Sequence, residues 1–267
     1  MRNSIAVFLL AAVAALFVSP TFLPAAVVTV PTGLRPGDQY RLAFVTSTTR
    51  DATSSNIAEY NAFVTAAANL NPALTALNTN WTAIASAVDY HGGVIISDVN
   101  AFTNTGTDPS INPIGVPIYT LKNSLIANTN SRLWSGSIIS PINIDESGNT
   151  INSFVWTGTD SSGNSGYPTG SLGEESPVFF GYSGLSNLDW AGEGGGSPSR
   201  LMPLYAMSGV LTVVPEPSSI ALAAFGLIGL SAIARGMRVT PKSNRRKAGF
   251  LNLARTKSGW RIVHVQR

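Results

Sequence analysis

Two long apolar runs bracket the chain. Ile5 to Val18 contains no charged or strongly polar residue, and Ile220 to Ala234 is interrupted only by Gly226, Gly229 and Ser231. Between them the apolar positions come in short pieces. Tyr40-Arg-Leu-Ala-Phe-Val-Thr46 predicts a strand after the turn signal Arg35-Pro-Gly-Asp38, and the β-branched stretch Val27 to Val30 predicts another at its base. Ile57, Tyr60, Val64 and Ala67 recur at helical spacing, and Asn56 followed three residues on by Glu59 has the form of a capping box. A helix from about Ser55 to Leu70 is expected. Pro72 then opens a short helical turn through Leu77, and Trp81 to Ala85 has strand propensity.

From Asp89 to Pro117 no period is sustained, and Asn, Asp, Gly, Thr and Pro abound, which predicts a long irregular segment. Ile118-Tyr119, Leu133-Trp134 and Phe154 to Thr157 read as short strands separated by turn residues, with glycine-rich loops at Gly166 to Gly173 and Gly192 to Gly196. Leu201 to Val213 supplies a last strand. One or two helices among several short strands, closed by a terminal strand, predict an α+β domain over residues 27–213.

The bracketing runs differ in what flanks them. Met1-Arg2-Asn3 is a short positive region, Ser19-Pro20 ends the first run, and Ala25 and Ala26 are small residues suited to cleavage. This is signal-peptide architecture over residues 1–26, implying the Sec translocon and signal peptidase as partners. Its 14 apolar residues, at ~1.5 Å rise, reach only ~21 Å against a ~30 Å hydrocarbon core. The second run follows Pro215-Glu216-Pro217, whose prolines end the preceding strand in a rigid extended junction. Ser218 to Ala234 is uncharged for 17 residues, the lower limit for a membrane-spanning helix.

Charge changes the picture when it is located. The chain is formally +3, which suggests an anionic partner. Yet between Val27 and Val214 the basic residues are Arg35, Arg41, Arg50, Lys122, Arg132 and Arg200, six against 13 Asp and Glu, so 6 − 13 = −7. The excess sits in ten Lys and Arg after Ala234. A nucleic-acid partner is therefore not expected. Arg235, Arg238, Lys242, Arg245, Arg246 and Lys247 instead set the orientation of the span, with the basic tail (residues 239–267) cytoplasmic and the acidic domain outside.

The motif Pro215-Glu216-Pro217, the apolar span and the arginine cluster, in that order over residues 214–238, resemble the Pro-Glu-Pro C-terminal sorting domain of Gram-negative bacteria. The resemblance implies recognition by an exosortase, a membrane transpeptidase-like enzyme acting near the Pro-Glu-Pro motif, and an origin in bacteria that make exopolysaccharide or biofilm matrix. The tail departs from that pattern by running 33 residues from Arg235 to Arg267. Phe250, Leu251, Leu253, Trp260, Ile262 and Val263 among its basic residues suit an interfacial segment on anionic lipid, or disorder.

A second resemblance covers most of Tyr40 to Val210. Phe44-Val-Thr-Ser-Thr48, Trp81-Thr-Ala-Ile-Ala-Ser86, Leu133-Trp-Ser-Gly-Ser-Ile138 with Pro141-Ile142, and Val155-Trp-Thr-Gly-Thr159 look like bacterial C-type-lectin-like domains of unknown function. It implies that fold and says little about activity. The cysteines common in those domains are absent here, so thiol catalysis and thiolate metal sites are excluded.

Candidate chemistry is sparse. His91, in Asp89-Tyr-His91-Gly-Gly, is the sole histidine of the exported region, and no nucleophile elbow accompanies it. A turn-stabilising or solvated His91 is the expected reading, and an extracellular hydrolase using His91 is the rival. Asp145-Glu-Ser-Gly-Asn149 and Asp160-Ser-Ser-Gly-Asn164 place oxygens close together as calcium requires, but the same residues are what tight turns select. Turns are expected, with no metal and no cofactor. Trp81, Trp134, Trp156 and Trp190 are expected in the core, the alternative being stacking on sugar rings. Asn187-Leu-Asp189-Trp190 loosely echoes a lectin sugar loop, which makes Asp189 and Trp190 the candidate ligand-binding residues.

The sequence therefore leads to a sorted, non-enzymatic cell-surface or extracellular-matrix protein with polysaccharide as the candidate ligand. A passive structural surface protein is the further alternative.

Overall fold

Seven residues, Gln39–Val45, form strand β1, and its alternation divides the interior in two. Tyr40, Leu42 and Phe44 enter one buried cluster, while Ala43 and Val45 enter the other. The period of two in side-chain direction thus places a core on each face of one strand. The structure, a computed structural model, describes residues 27–214 apart from 92–93, 167–168 and 176, together with residues 255–256 and 259–260.

The remaining strands are β2 (Trp81–Ala83), β3 (Ala87–His91), β4 (Val94–Val99), β5 (Ile118–Thr120), β6 (Leu125–Ala127), β7 (Phe154–Trp156), β8 (Val178–Tyr182), β9 (Gly194–Gly196), β10 (Tyr205–Ser208) and β11 (Leu211–Thr212). The helices are α1 (Ile57–Ala68), α2 (Pro72–Thr75), α3 (Ala101–Thr105), α4 (Asn130–Leu133) and α5 (Asp189–Gly192). The central sheet runs β2-β10-β1-β5-β6, with β11 also on β1. β1 is antiparallel to β10 (Ala43 opposite Met207) and to β11 (Gln39 opposite Thr212), and parallel to β5. A second, antiparallel sheet has the order β7-β8-β9, and β3 pairs with β4 as a separate hairpin. The class is α+β.

The first core takes Tyr60, Val64, Ala67 and Ala68 from α1 and Leu74 from α2 against Phe44, Trp81 and Leu204. Phe44 and Trp81 meet edge to face, with centroids 5.1 Å apart, a geometry worth about 0.5–1.5 kcal/mol beyond buried area. The second core gathers Trp134, Trp190, Ile138, Ile142 and Tyr205. Polar atoms are met where the ladders end. The Ser208 hydroxyl accepts from Leu42 N at 2.9 Å, and the Thr46 hydroxyl accepts from Leu204 N at 3.0 Å. Half-buried Arg41 donates through Nη1 to the carbonyls of Thr105 and Ser208, both at 2.9 Å.

Several expectations change. Val27 to Val30 forms no strand, although Val28 N reaches Leu121 O at 2.8 Å. The α1 cap is only half the expected box: the Asn56 side chain accepts from Ala58 N at 3.1 Å, but Glu59 faces Arg50 at 3.6 Å, because that guanidinium lies over the Tyr60 ring one residue along. Leu133-Trp134 ends a helical turn rather than a strand, since the Thr129 hydroxyl caps Arg132 N at 3.0 Å. The segment expected to be irregular holds the β3–β4 hairpin and α3, and β9 is built from three glycines expected to be loop. The last strand is two, divided at Gly209-Val210.

The chain divides at Pro215/Glu216 into two compact units. In the second, Arg255–Thr256 and Gly259–Trp260 pair antiparallel, in a tail for which an interfacial segment or disorder was expected.

Burial raises the phenols of Tyr60, Tyr205 and Tyr40 above the ordinary tyrosine value, the effect on Tyr60 being opposed by Arg50, 4.1 Å from its ring centroid. The unfolded chain releases these protons near pH ~10 while the folded one keeps them, so stability is constant below that pH and falls above it. Ultraviolet titration is expected to show Tyr60 and Tyr205 ionising only with alkaline unfolding, and Tyr60→Phe to move that unfolding to higher pH.

Candidate functional site

The two Asp-x-Ser-Gly-Asn loops fold alike. Asp145 Oδ1 accepts from Ser147 N at 2.9 Å and Asn149 N at 2.7 Å; Asp160 Oδ1 accepts from Ser162 N at 2.8 Å and Asn164 N at 3.1 Å. Gly148 and Gly163 hold φ of 83° and 81°, which L side chains rarely adopt. Both oxygens of Asp145 and one of Asp160 thus serve their own turns, as the Asx reading expects. Among the described residues no group of three or more His, Asp or Glu side chains is gathered for a metal ion.

The tryptophans are interior. Trp156 and Trp190 are fully buried, and Trp81 and Trp134 are 3% and 6% exposed. Trp190 packs on Trp134 and Tyr205 at 5.8 Å and 5.9 Å between centroids, and its backbone carbonyl accepts from the Tyr205 hydroxyl at 3.0 Å. It presents no ring face to a saccharide, which corrects the ligand-binding candidacy of Trp190. The cause is local: α5 lies so close on β8 that a Cβ at Gly181 would stand 2.0 Å from the Trp190 carbonyl oxygen. The indole that follows Asp189 is thereby turned inward.

Asp189 stays half-exposed and borders a surface recess of about 310 Å³ with Asp160, Ser161, Phe179 and Leu188. Its Oδ2 accepts from Asn187 Nδ2 at 2.9 Å. His91 ends β3 opposite Val94, in a hairpin whose other strand is exposed at Val94, Ile95 and Ile96.

Another recess lies where the two sheets join. About 320 Å³ in volume, it is lined by Ser47 and Thr49 beyond β1, by Ile151 and Phe154 at the start of β7, and by the segment Arg200 to Pro203. Hydrogen bonds fix that segment on both sides. Arg50 and Met202 exchange N–H···O bonds of 3.0 Å, Trp156 N donates to Pro203 O at 3.0 Å, and Trp156 Nε1 donates to Arg200 O at 3.1 Å. Glu146, buried behind Ser47, accepts from both the Ser47 amide and its hydroxyl. Sequence reading missed this site because its residues are scattered from Ser47 to Pro203 and form no motif.

The strand leading toward the Pro-Glu-Pro motif is well defined: Leu211 lies opposite Tyr40, and Val213 N donates to Asp38 O at 2.9 Å. Pro215, Glu216 and Pro217 themselves, the span 218–234, Arg235, Arg238, Lys242, Arg245, Arg246 and Lys247, and at the other end residues 1–26 with Ala25 and Ala26, lie outside the described residues. Among the described residues no helix is long and apolar enough to cross a membrane.

Comparison with known families matches residues 213–238 to the PEP-CTERM protein-sorting motif. The chain carries a PEP-CTERM sorting signal. That signal marks an exported protein sorted by an exosortase from a membrane-anchored precursor. No match was found among curated proteins.

If Trp190 serves the core, Trp190→Ala costs about 3–5 kcal/mol. Trp190→Phe costs less, because Nε1 has no hydrogen-bond partner to lose. Denaturant unfolding of both variants checks the order.

Proposed function

We propose that this is a non-enzymatic cell-surface or matrix protein whose exported domain, residues 27–214, is C-type-lectin-like and is released from its membrane anchor by exosortase processing near Pro217. The observation that carries the reading is the PEP-CTERM match at residues 213–238, which begins at Val213, the last residue hydrogen-bonded to the sheet. A cut close to the motif removes the apolar span and the tail and leaves every ladder of the domain whole.

The lectin-like assignment is supported by the antiparallel pairing of β1 with β10 and β11, which brings the domain's entry and exit together, and by a second small sheet formed from the intervening chain. The domain's charge of −7 and the wholly basic tail favour the outward orientation. On this reading the signal peptide is removed after Ala25 or Ala26, and the span at 218–234 is temporary. Extracellular polysaccharide is the proposed partner, with the recesses bordered by Asp189 and Arg200 as the places open to it. A hydrolytic activity lost on His91→Ala would overturn the non-enzymatic part.

In a host that makes an exosortase, the secreted product is expected to begin at residue 26 or 27 and to lack Ile220 to Ala234 by mass spectrometry. Replacing Pro215, Glu216 and Pro217 together by alanine is expected to hold the chain in the membrane fraction at its precursor mass. A wild-type product that still contains Ile220 to Ala234 counts against processing.

A further inference from the structure

The recess between the sheets differs chemically from the rest of the domain. Among the described residues that line it, the only charged one is Arg200, in a region that is otherwise acidic, at −7. Three of the other four arginines there are occupied: Arg41 donates to two carbonyls, Arg50 faces Glu59 and covers Tyr60, and Arg132 donates to Ser135 and Ser137. Among the described residues no carboxylate, carbonyl or hydroxyl takes a hydrogen bond from the Arg200 guanidinium. Its backbone, by contrast, is fixed through the Trp156 indole, so the cation stands on a rigid base with its donors unspent.

We propose that this recess binds a uronic acid residue of an anionic saccharide. The guanidinium fork matches a carboxylate bidentately. Phe154, 39% exposed, together with Ile151 and Leu201 offers apolar surface to the C–H face of a pyranose. The Thr49 hydroxyl lies in the lining for a ring hydroxyl, while that of Ser47 donates its proton to Glu146 and is left to accept. The volume, about 320 Å³, is at the low end of small-molecule sites (~300–1,000 Å³), which suits one or two sugar units. Overall negative charge does not forbid an anion here, because exposed charges beyond a screening length of about 8 Å contribute little at physiological salt. The described lining contains no acid. Behind it, the Glu146 carboxylate accepts from the Ser47 amide and hydroxyl and keeps its charge, so the uronate carboxylate is placed at Arg200, away from Ser47.

This deepens the polysaccharide-binding reading and rests on it. Full-length chain in detergent is titrated, with Trp fluorescence as the readout, against a short oligogalacturonate, a neutral cello-oligosaccharide of equal length, and inorganic phosphate. Trp156 reports directly because it holds the Arg200 carbonyl. Saturable binding of the uronate is expected, at least tenfold tighter than that of the neutral sugar or phosphate. Arg200→Gln is expected to weaken it by about 10-fold to 100-fold, the size of a lost charged hydrogen-bond pair. Phe154→Ala should weaken it less and lower the melting temperature modestly, because it loses edge-to-face contacts with Phe180 and Tyr182, whereas Arg200→Gln should keep the wild-type melting temperature. Uronate binding that is absent, unchanged in Arg200→Gln, or matched by phosphate overturns the proposal. Secretion and C-terminal processing are followed in parallel: a chain sorted normally that ignores uronate defeats this inference alone, whereas one never exported defeats the proposed function.

Discussion

Strand β1 is hydrogen-bonded along both edges, to β10 and β11 on one side and β5 on the other, and its alternate side chains anchor two separate cores. Burial on both faces is usual for the central strands of α/β proteins and demanding for a strand this short, because every side chain from Leu42 to Val45 must be apolar and well packed. The second sheet and α5 reach the rest of the molecule through Tyr205 and the Trp156–Leu204 bridge, both of which depend on where β10 is held. Displacing β1 would therefore open both cores together.

Polar groups complete what that pairing begins. Arg41 joins α3 to β10 by donating to carbonyls of each, and burial lowers its pKa without removing its charge, since arginine stays protonated throughout the useful range. At the same helix, Trp134 Nε1 donates to the Thr107 hydroxyl at 2.9 Å, and that hydroxyl lies 2.7 Å from Thr105 Oγ1. Threonine is abundant in this chain, and a buried threonine satisfies a neighbouring donor while filling the volume of a valine. A domain with no cysteine closes its interior by such contacts instead of by disulfides.

What the sequence disclosed followed the length of each signal. β1 and α1 were legible because each signal runs over seven or more residues, and the Asx turns because their chemistry is local. Leu133-Trp134 misled because two apolar residues carry no period, and the hydroxyl cap that decides their conformation comes from Thr129. β9 was hidden because three glycines have no propensity of their own; they form a strand only because β8 offers an edge and Phe180 lies against them. At the candidate sites the same limit applies. Asp189 was found from a tetrapeptide, but whether Trp190 faces sugar or core depends on the approach of α5 to Gly181. The Arg200 recess joins three distant segments and has no linear trace. The sorting motif stands at the other extreme, since an enzyme reads it in the linear chain.

The pairing of first strand with last also sets a schedule. Leu42 N waits for the hydroxyl of a serine 166 residues later, so neither core can close until nearly the whole of residues 27–214 is present. Long-range pairing of this kind forms slowly and late. Only when β11, with the Pro-Glu-Pro motif directly behind it, is available to pair with β1 can the domain lock. Completion of the fold is thus tied to the stretch of chain that immediately precedes the sorting signal.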